Sequence, residues 1–257
     1  MSNIEQYIRR LELSNPLREP VIRIAIESLR LPEGSFGLDA GCGIGLYTLL
    51  LAEAVGATGH VTGLDITKEF LAKARSLLSK SSMGNRISFK EADACKLPFD
   101  ENTFDWACSM DFAGYAPLDP VLLLKEMGRV VKPEGRVFLL MWSSQKLLPG
   151  FPVLEAGLSA TSSGIAPFTT TMNPESHMMR GLGWFRRAGL MKPVARTFVR
   201  DVCPPLDPEI ITALTDLFQM RWEGADSEVS PEDWAEYQRL CSPDSPDFIL
   251  YLATYYF

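Results

Sequence analysis

The sequence feature that most constrains the fold is the stretch LDAGCGIGLYT, residues 38–48, which holds three glycines within five residues. An apolar run that ends in Asp39 precedes these glycines, and the apolar run TLLLA follows them. Glycine has no Cβ, so it lets the backbone approach a ligand closely and adopts positive φ at little cost. We therefore predict a strand, then a turn that cradles a ligand, then a helix.

Short apolar runs alternate with helical patterns along the chain, which is typical of βαβ units on a parallel sheet. The predicted strands are SFGLDA, HVTGLD, residues 87–90, FDWACSM, GRVFLLMW, residues 193–202 and residues 248–256. Helical spacing predicts helices over about 3–30, 47–55, KEFLAKARSLLSK, the segment that Asp119 and Pro120 open, and about 174–188. The pattern indicates an α/β protein.

We predict a single domain over residues 1–257. Its core comprises about 31–142 and 174–203 plus 247–257. Residues 143–173 are rich in Ser, Thr, Gly and Pro and are expected to form a mobile flap, and residues 204–246 carry two helical stretches that we interpret as a helical cap insertion. Neither segment can bury a core of its own, so neither is predicted to be an independent domain.

Composition and charge exclude several classes of protein. The five scattered cysteines lack a CxxC pair, so neither a disulfide framework nor a metal site is predicted. The chain has no apolar run of membrane-spanning length, and its first residues are too polar for a signal peptide, so we expect a cytoplasmic protein. A formal net charge of -7 argues against nucleic acid binding over a broad surface.

One basic stretch stands out against this acidic balance, while residues 205–250 are strongly acidic. We interpret the two as a solvated face beside an acidic cap. The cations of the basic stretch are Arg180, Arg186, Arg187, Lys192, Arg196 and Arg200.

The spacing of the glycines weakens two common interpretations of such a loop. A dinucleotide fingerprint needs G-x-G-x-x-G, but here Gly41, Gly43 and Gly45 run G-x-G-x-G and Leu46 stands where the third glycine belongs. A phosphate loop needs a lysine after the glycines, and the chain has none there. The glycine spacing therefore weakens the prediction of an NAD site, and the pattern of a phosphate-binding loop is absent.

Two acids follow the next strands where a nucleoside would need them. Asp65 closes HVTGLD, and a carboxylate there can accept both hydroxyls of a ribose. Asp93 ends EAD, and together with neighbouring backbone amides such as that of Ala94 it can bind the amino edge of an adenine, which Ile66 and Leu97 could flank. Either acid alone is also compatible with a helix cap or a solvated loop.

In this order the motifs resemble the class I S-adenosylmethionine-dependent methyltransferases, in particular the small-molecule branch called type 11 or ubiquinone-biosynthesis-like. The matching motifs are LDAGCGIG, GLDIT, EADACKLPF, FDWACSM, EMGRVVKPEGRVFL and WFRRAGL, within about residues 35–200. The resemblance implies a Rossmann-like, seven-stranded, mostly parallel sheet with its last strand antiparallel and helices on both faces. To this core the N-terminal helical segment and the cap insertion are added.

The resemblance also implies roles for single residues, and S-adenosyl-L-methionine as cofactor with S-adenosyl-L-homocysteine as product. The loop around the methionine part of the cofactor would comprise Asp39, Gly41, Cys42 and Gly43. The adenosine part would contact Asp65, Ile66, Ala92, Asp93 and Ala94, and the sulfonium would lie above Ser109 and Met110. Cys42 is ordinary in this loop and is not interpreted as a nucleophile.

The chain departs from these relatives where many carry a histidine after strand four. It has MDFAGYAPLDP instead, which leaves Asp111 and Tyr115 as the nearest candidates to face a substrate. Of the two histidines, His60 is expected to be structural, and His177 could approach the site from the flap. A phenol, an acidic carbon or a thiolate needs no base, so the catalytic residues stay open.

The expected function is methyl transfer by in-line displacement to a small, apolar or aromatic molecule. Alternatives are methylation of a protein or an RNA, and a non-catalytic module that binds S-adenosylmethionine and regulates a partner. We expect no nucleic acid partner and no membrane span, and a homodimer stays open. We expect the acceptor pocket to be lined by Tyr7, Ile8, Asp111, Tyr115 and Trp142. Apolar residues of the flap and cap are expected to cover it, and they could equally form the core of the cap. They are Phe151, Phe168, Met172, Met178, Met179, Phe218 and Trp222.

Overall fold

The computed structural model describes residues 2–113, 118–165, 177–245 and 250–256. The chain divides into two compact units, which are described one at a time. The sheet unit comprises Val21–Ser143, Pro174–Phe198 and Thr254–Phe257, and the second unit comprises Met1–Pro20, Ser144–Asn173 and Val199–Ala253.

Strands and helices alternate through the middle of the chain, as the sequence predicts. The strands are β1 Phe36–Ala40, β2 His60–Asp65, β3 Ile87–Glu91, β4 Phe104–Met110, β5 Val131–Lys146, β6 Arg196–Val202 and β7 Leu250–Tyr256. The helices are α1 Asn3–Leu29, α2 Leu46–Ala54, α3 Lys68–Leu78, α4 Pro120–Val130, α5 Pro152–Ser159, α6 Ser162–Ile165, α7 Gly181–Arg187, α8 Pro208–Trp222 and α9 Pro231–Leu240. Among the helices within the described ranges, none is long and apolar enough to cross a membrane.

Five strands of the sheet unit pair in parallel in the order β3-β2-β1-β4-β5. The register sets Asp39 opposite Gly63 on one side and Cys108 on the other. Asp65 lies opposite Glu91 in the β2–β3 pair. The carboxyl ends of β1, β2 and β4 therefore meet at one edge, where open α/β sheets bind their ligands.

Apolar side chains cover both faces of this sheet. On one face, strand residues such as Leu38 and Leu139 pack with Leu123 and Met127 of α4 and with Trp184 of α7. The other face packs against α2 and α1, with contributions from Val61, Trp106, Phe138, Leu51 and Ile26. Strand side chains alternate between the faces, so a sheet covered on both sides needs nearly continuous apolar strands. The predicted helices on both faces are thereby confirmed for this unit.

Gly37 shows why β1 needs a glycine outside the turn. A Cβ at this position would collide with the indole ring of Trp106 on the neighbouring strand. The Trp106 Nε1–H donates to the hydroxyl of Ser35 at 2.9 Å, which satisfies the buried indole. The small residue lets the large ring lie across β1, so the two strands fix each other's position.

The start of α4 is capped as its sequence predicts. The Asp119 side chain accepts a hydrogen bond from the backbone N–H of Val121 at 2.8 Å, and Pro120 occupies the first helical position. An acid at the cap satisfies a backbone donor that the helix itself leaves unpaired, and proline is pre-set for the first turn. The helix then ends where β5 begins, at Val131.

The segment predicted to form a flap contains two helices that the sequence analysis did not predict. Residues 143–173 include α5 and α6, and their mobility stays a prediction. The Glu155 carboxylate holds α5 in place, since Oε1 accepts from the Leu147 N–H at 2.9 Å and Oε2 lies 3.6 Å from the Lys146 ammonium. The predicted helix over about 174–188 is shorter in its described part, where a 3-10 turn at Met178–Arg180 precedes α7.

The two helical stretches predicted within residues 204–246 are confirmed as α8 and α9, and their role as a cap stays a prediction. Phe218 and Trp222 of α8, candidates for the acceptor pocket, are instead almost fully buried. Trp222 packs edge to face on Tyr237 of α9, and the Tyr237 hydroxyl donates to the Phe218 carbonyl at 2.9 Å. These side chains therefore form core of the second unit.

Helix α1 carries two prolines, Pro16 and Pro20, in its interior. Pro20 has no N–H, so the carbonyl of Pro16 loses its normal partner one turn later. The Arg200 guanidinium of β6 fills this gap, because Nη1 donates to the carbonyls of Pro16 at 2.7 Å and Leu17 at 3.0 Å. Burial of this guanidinium lowers the pKa of Arg200.

We expect Arg200→Ala to lower the free energy of unfolding by about 1–3 kcal/mol, because a buried carbonyl loses its donor. Urea denaturation measures the change. Arg196→Ala, in the same strand but exposed, should change it by less than about 0.5 kcal/mol. In a Pro20→Ala background the helix regains the missing N–H, so the loss caused by Arg200→Ala should shrink. Equal losses in both backgrounds would contradict this role for the arginine.

Candidate cofactor-binding site

The glycine turn after β1 is bound to the end of β2 through its backbone. The N–H groups of Gly41 and Cys42 both donate to the Leu64 carbonyl, at 2.7 and 2.9 Å. Gly41, Gly43 and Gly45 have φ of 79°, 54° and 78°, in the left-handed region that favours glycine. The turn thus has the conformation that its glycines predict.

The three glycines differ in the space around them. A Cβ at Gly41 would collide with the ring of Phe112, and one at Gly45 would lie 2.8 Å from the ring of Phe89. A Cβ at Gly43 would meet no atom of the described residues within 4 Å. The turn is therefore packed at both ends and open at Gly43, where a ligand can approach the backbone.

Asp65 connects this turn to the two loops that follow. Its carboxylate accepts from the N–H of Gly43 through Oδ2 and from that of Thr67 through Oδ1, each at 2.9 Å. Its carbonyl accepts from the Ala92 N–H at 3.1 Å. The side chain is only 7% exposed, yet each carboxylate oxygen can accept a further hydrogen bond. Asp65, the residue predicted to bind a ribose, thus lies beside the open part of the turn.

Asp39 is buried in β1 directly before the turn. Its carboxylate accepts from the Thr48 hydroxyl at 2.7 Å, and the Cys108 thiol lies 3.7 Å from the other oxygen. Burial raises the pKa of Asp39 to about 6, while these two hydrogen bonds oppose the shift and the charge of Asp65 adds to it. A buried acid with such a pKa responds strongly to a nearby positive charge.

The residues predicted to contact an adenine lie in two loops, Ile66 after β2 and residues 92–97 after β3. Ile66 is 66% exposed, and Ala94 and Leu97 are buried. The Asp93 carboxylate accepts from the Cys95 N–H at 2.8 Å, so this acid also stabilises the turn in which it stands. Its capping role and the predicted adenine contact are compatible, because a carboxylate has several acceptor positions.

An ion pair on α4 fixes the position of this loop. The Glu126 carboxylate accepts from the Leu97 N–H at 2.9 Å, and the Arg129 guanidinium donates to the carbonyls of Leu97 and Phe99 at 3.0 and 2.9 Å. Glu126 and Arg129 also pair with each other at 2.8 Å. Hydrogen bonds with Arg129 lower the pKa of Glu126, so the pair stays ionised.

The carboxyl end of β4 contributes Ser109, Met110 and Asp111. Ser109 is fully buried, and its hydroxyl oxygen has no hydrogen-bond partner among the residues that the structure describes. Such an orphaned polar atom is uncommon in proteins and is compatible with a ligand contact. Met110 is buried beside it in the sequence and packs in the core.

Asp111 bends the chain at the end of β4. Its φ of 49° lies in the left-handed region, and its carboxylate accepts from the Trp142 N–H at 2.7 Å and from the Tyr47 hydroxyl at 3.3 Å. The bend is followed by Phe112, whose ring lies against Gly41. Asp111 therefore links β4, β5 and α2 at the edge where the glycine turn lies.

None of the remaining catalytic candidates has a described contact with the residues around the glycine turn. His177 Nδ1 accepts from the Met179 N–H at 3.2 Å, a contact that caps the 3-10 turn before α7. Tyr115 lies outside the described residues. His60 begins β2, at the strand end opposite Asp65, and contacts the Ser88 hydroxyl at 3.0 Å. Burial raises the pKa of the Cys42 thiol, in keeping with a residue that is not a nucleophile.

Three contributors were missed at the sequence level: Tyr47, Thr48 and Phe112. Tyr47 and Thr48 lie in the first turn of α2, where side chains near the glycine turn point back toward β1, so their position was a usable signal. Phe112 gave no signal, because its contact with Gly41 depends on the bend at Asp111. Within the described residues, no His, Cys, Asp and Glu side chains cluster in a way that could hold a metal ion.

The acid Asp39 predicts a pH dependence of stability. Its pKa rises from 3.8 unfolded to about 6 folded. Below pH ~4 both states are protonated, and between about 4 and 6 only the unfolded state ionises, so the free energy of unfolding falls by about 3 kcal/mol as pH rises. Asp39→Asn should remove this fall, which urea denaturation at several pH values measures.

Thr48→Val is the matched control for that experiment. It removes a hydrogen bond that lowers the pKa of Asp39, so the fall in stability should continue to a higher pH than in the unaltered chain. Parallel stability curves for the unaltered chain and Asp39→Asn would contradict the assignment.

Comparison with known proteins agrees with this geometry. Residues 38–139 match the family described as methyltransferase domain, type 11. A demethylmenaquinone methyltransferase of Bacillus licheniformis is 37% identical over 129 residues, which cover 50% of this chain and 53% of the relative. One from Staphylococcus aureus is 35% identical over 131 residues, with similar coverage of 51% and 52%. The chain thus spans about half the length of the curated relatives that it matches.

Solved structures with the same fold cover nearly the whole chain. A putative methyltransferase of Haloferax volcanii, solved with the Trm112 methyltransferase activator, has a TM-score of 0.59 at 20% identity and covers 99% of this chain and 97% of its own. An S-adenosylmethionine-dependent methyltransferase of Aquifex aeolicus has a TM-score of 0.52 at 17% identity, with 96% of both chains covered. These likenesses show an α/β Rossmann-like fold. Residues 38–139 are thus similar to a methyltransferase domain, and the fold of the chain agrees with that similarity.

Proposed function

We propose that the chain transfers a methyl group from S-adenosyl-L-methionine to a small, apolar or aromatic acceptor. The observation that carries this proposal is the open backbone at Gly43, whose N–H is held by the carboxylate of Asp65. A turn without side chains beside a buried acid suits a nucleoside with a chain attached. The glycine spacing suits a dinucleotide less well.

The residues present fit that cofactor. Asp39, Gly41, Cys42 and Gly43 would hold its methionine part, and the free acceptor positions of Asp65 would take the ribose hydroxyls. The buried negative charge of Asp39 suits a ligand that carries an amino group and a sulfonium. The exposed apolar side chain of Ile66 supports a contact with a flat ring.

The backbone of the third loop supports the adenine assignment. Ala92 is tied to Asp65, and Asp93 and Ala94 belong to a turn that α4 braces through Glu126. At the end of β4, the orphaned hydroxyl of Ser109 supports a ligand contact there, with Met110 beside it. All these assignments are proposals that variants can test one at a time.

The cofactor supplies a methyl group that is already activated on sulfur. The chain then has to orient an acceptor in line with that methyl and exclude water. If the acceptor carries a proton, Asp111 and Tyr47 are placed to share it, because the Tyr47 hydroxyl already donates to the carboxylate. Asp111 would have to exchange that contact for one with the acceptor. Tyr115 and His177 stay weaker candidates.

The acceptor class rests on the relatives and on the composition. Two relatives are named for demethylmenaquinone, an apolar aromatic quinone, and this agrees with the acceptor that the sequence predicts.

Several features of the proposed enzyme stay expectations. They are a single methyltransferase domain, a cytoplasmic location, the lack of a nucleic acid partner and a homodimer. The described strands number seven, which supports the seven-stranded sheet of the family, and the antiparallel direction of its last strand stays a prediction.

Experiments must distinguish methylation of a small molecule from the other functions that this fold can carry. One solved structure of this fold is described as a [4+2]-cyclase, with a TM-score of 0.50 at 18% identity, so the fold alone does not fix the reaction. A non-catalytic module that binds the cofactor would show binding without turnover. Methylation of a protein or an RNA would show turnover with those acceptors only.

One prediction of the proposed function concerns which cofactor the chain binds. Calorimetric titration with S-adenosylmethionine, S-adenosylhomocysteine and NAD should show binding of the first two at about micromolar dissociation constants and none of NAD. With bound cofactor established, release of S-adenosylhomocysteine is then measured with a short-chain demethylmenaquinol as acceptor. Binding without turnover would exclude this acceptor class, and binding of NAD alone would overturn the whole proposal.

The second prediction concerns Asp65. Asp65→Ala removes the proposed ribose contact and frees the Gly43 amide, so S-adenosylhomocysteine binding should weaken by about 1–3 kcal/mol. Asp100→Ala, a change of the same charge at an exposed site, should leave the affinity unaltered. Circular dichroism checks that both variants fold, and an unchanged affinity in a folded Asp65→Ala chain would refute the ribose assignment.

A further inference from the structure

A basic segment of the sheet unit is not used by the proposed methyl transfer. Residues 177–198 hold five arginine and lysine side chains and no acid, in a chain with a net charge of -7. The cations are Arg180, Arg186, Arg187, Lys192 and Arg196, and all of them are exposed. Such a concentration of one sign on an acidic protein creates a local positive field.

Helix α7 and the turn after it are both packed against the core of the sheet unit. Trp184 and Phe185 of α7 are 0% and 4% exposed and pack in the core cluster that contains α4. The Leu190 N–H donates to the Phe185 carbonyl at 3.0 Å, and Leu190 lies so close to Gly128 that a Cβ there would be 3.0 Å from its methyl carbon. The inner side chains therefore fix the turn that follows.

The outer side chains of the same turn are apolar and exposed. Met191 is 85% exposed and Val194 is 61% exposed, and Lys192 between them has φ of 53° in the left-handed region. A non-glycine residue with this φ is uncommon and reverses the chain direction locally. The turn thus presents two apolar side chains at its tip with cations on either side, at Arg186 and Arg196.

We propose that this tip, residues 186–196, docks the protein on an anionic lipid surface. Apolar side chains that enter the headgroup region and cations that meet lipid phosphates are the two contributions that hold a peripheral protein on a membrane. Charge complementarity selects the anionic surface, and the exposed Met191 and Val194 supply the apolar part.

The same observations disfavour an RNA partner. Proteins that bind single strands stack bases on exposed aromatic rings. In this segment Trp184 and Phe185 are buried, Phe198 is partly buried against the core, and the exposed apolar residues are not aromatic. A merely solvated basic face would not need Met191 and Val194 at its tip.

This inference does not rest on the proposed methyl transfer, because it concerns a surface outside the residues assigned to the cofactor. The two proposals can therefore fail separately. Where both hold, a protein on the lipid surface would meet apolar acceptors at the place where they concentrate.

The test is flotation of the full chain with lipid vesicles. Vesicles of phosphatidylcholine alone are compared with vesicles that contain roughly 30% phosphatidylglycerol. We expect the chain to float with the anionic vesicles only, and to be released when salt shortens the range of the electrostatic attraction. The same chain is mixed with poly(U) RNA in a separate binding assay.

Two double variants and two matched controls make the test specific. Lys192→Glu with Arg196→Glu should lower the partition onto anionic vesicles by about tenfold or more, and Met191→Ser with Val194→Ser by roughly threefold or more. Lys80→Glu with Lys125→Glu changes the charge by the same amount, and Leu122→Ser with Val153→Ser removes similar exposed apolar side chains. Both controls should partition like the unaltered chain.

Any one of three results would overturn the inference. The first is that the unaltered chain does not float with anionic vesicles, and the second is that it binds poly(U) but not the vesicles. The third is that the control variants lose as much vesicle binding as the tip variants. Titration with S-adenosylhomocysteine on each variant shows that the fold and the cofactor site are intact, since none of the changed residues belongs to that site.

Discussion

The hydrogen bonds of Asp65 are the interaction on which the candidate site depends. Its carboxylate accepts the amides of Gly43 and Thr67, and its carbonyl accepts the amide of Ala92. One residue therefore fixes the loops that follow β1, β2 and β3 relative to each other. Asp65 can reach all three loops because it lies at the end of β2, between the parallel neighbours β1 and β3.

The elements around Asp65 could be predicted because their signals are local. HVTGLD and FDWACSM match β2 and β4 residue for residue, and Asp119 with Pro120 marks the start of α4. Alternation of apolar residues, caps and glycines all act within a few positions of the chain, so they survive without tertiary information. The roles predicted for single loop residues came instead from the resemblance to a known family.

What could not be predicted depends on contacts between distant parts of the chain. The collision that forbids a side chain at Gly41 comes from Phe112, and the partners of Asp111 come from α2 and β5. Helix α5 lies in a segment whose composition suggested a flap, and its Glu155 accepts from the Leu147 amide. These contacts join residues whose proximity the local sequence pattern does not indicate.

Asp39 is a buried acid whose ionised form the fold partly stabilises. Burial would favour its neutral form, but Thr48 and Cys108 keep the carboxylate hydrogen-bonded and limit the rise of its pKa to about 6. Near neutral pH the residue is therefore mostly ionised at an energetic cost to the fold, and a positively charged ligand beside it would recover part of that cost. The same acid that weakens the free protein thus strengthens the bound one, which is why a buried carboxylate can be retained directly before an open glycine turn.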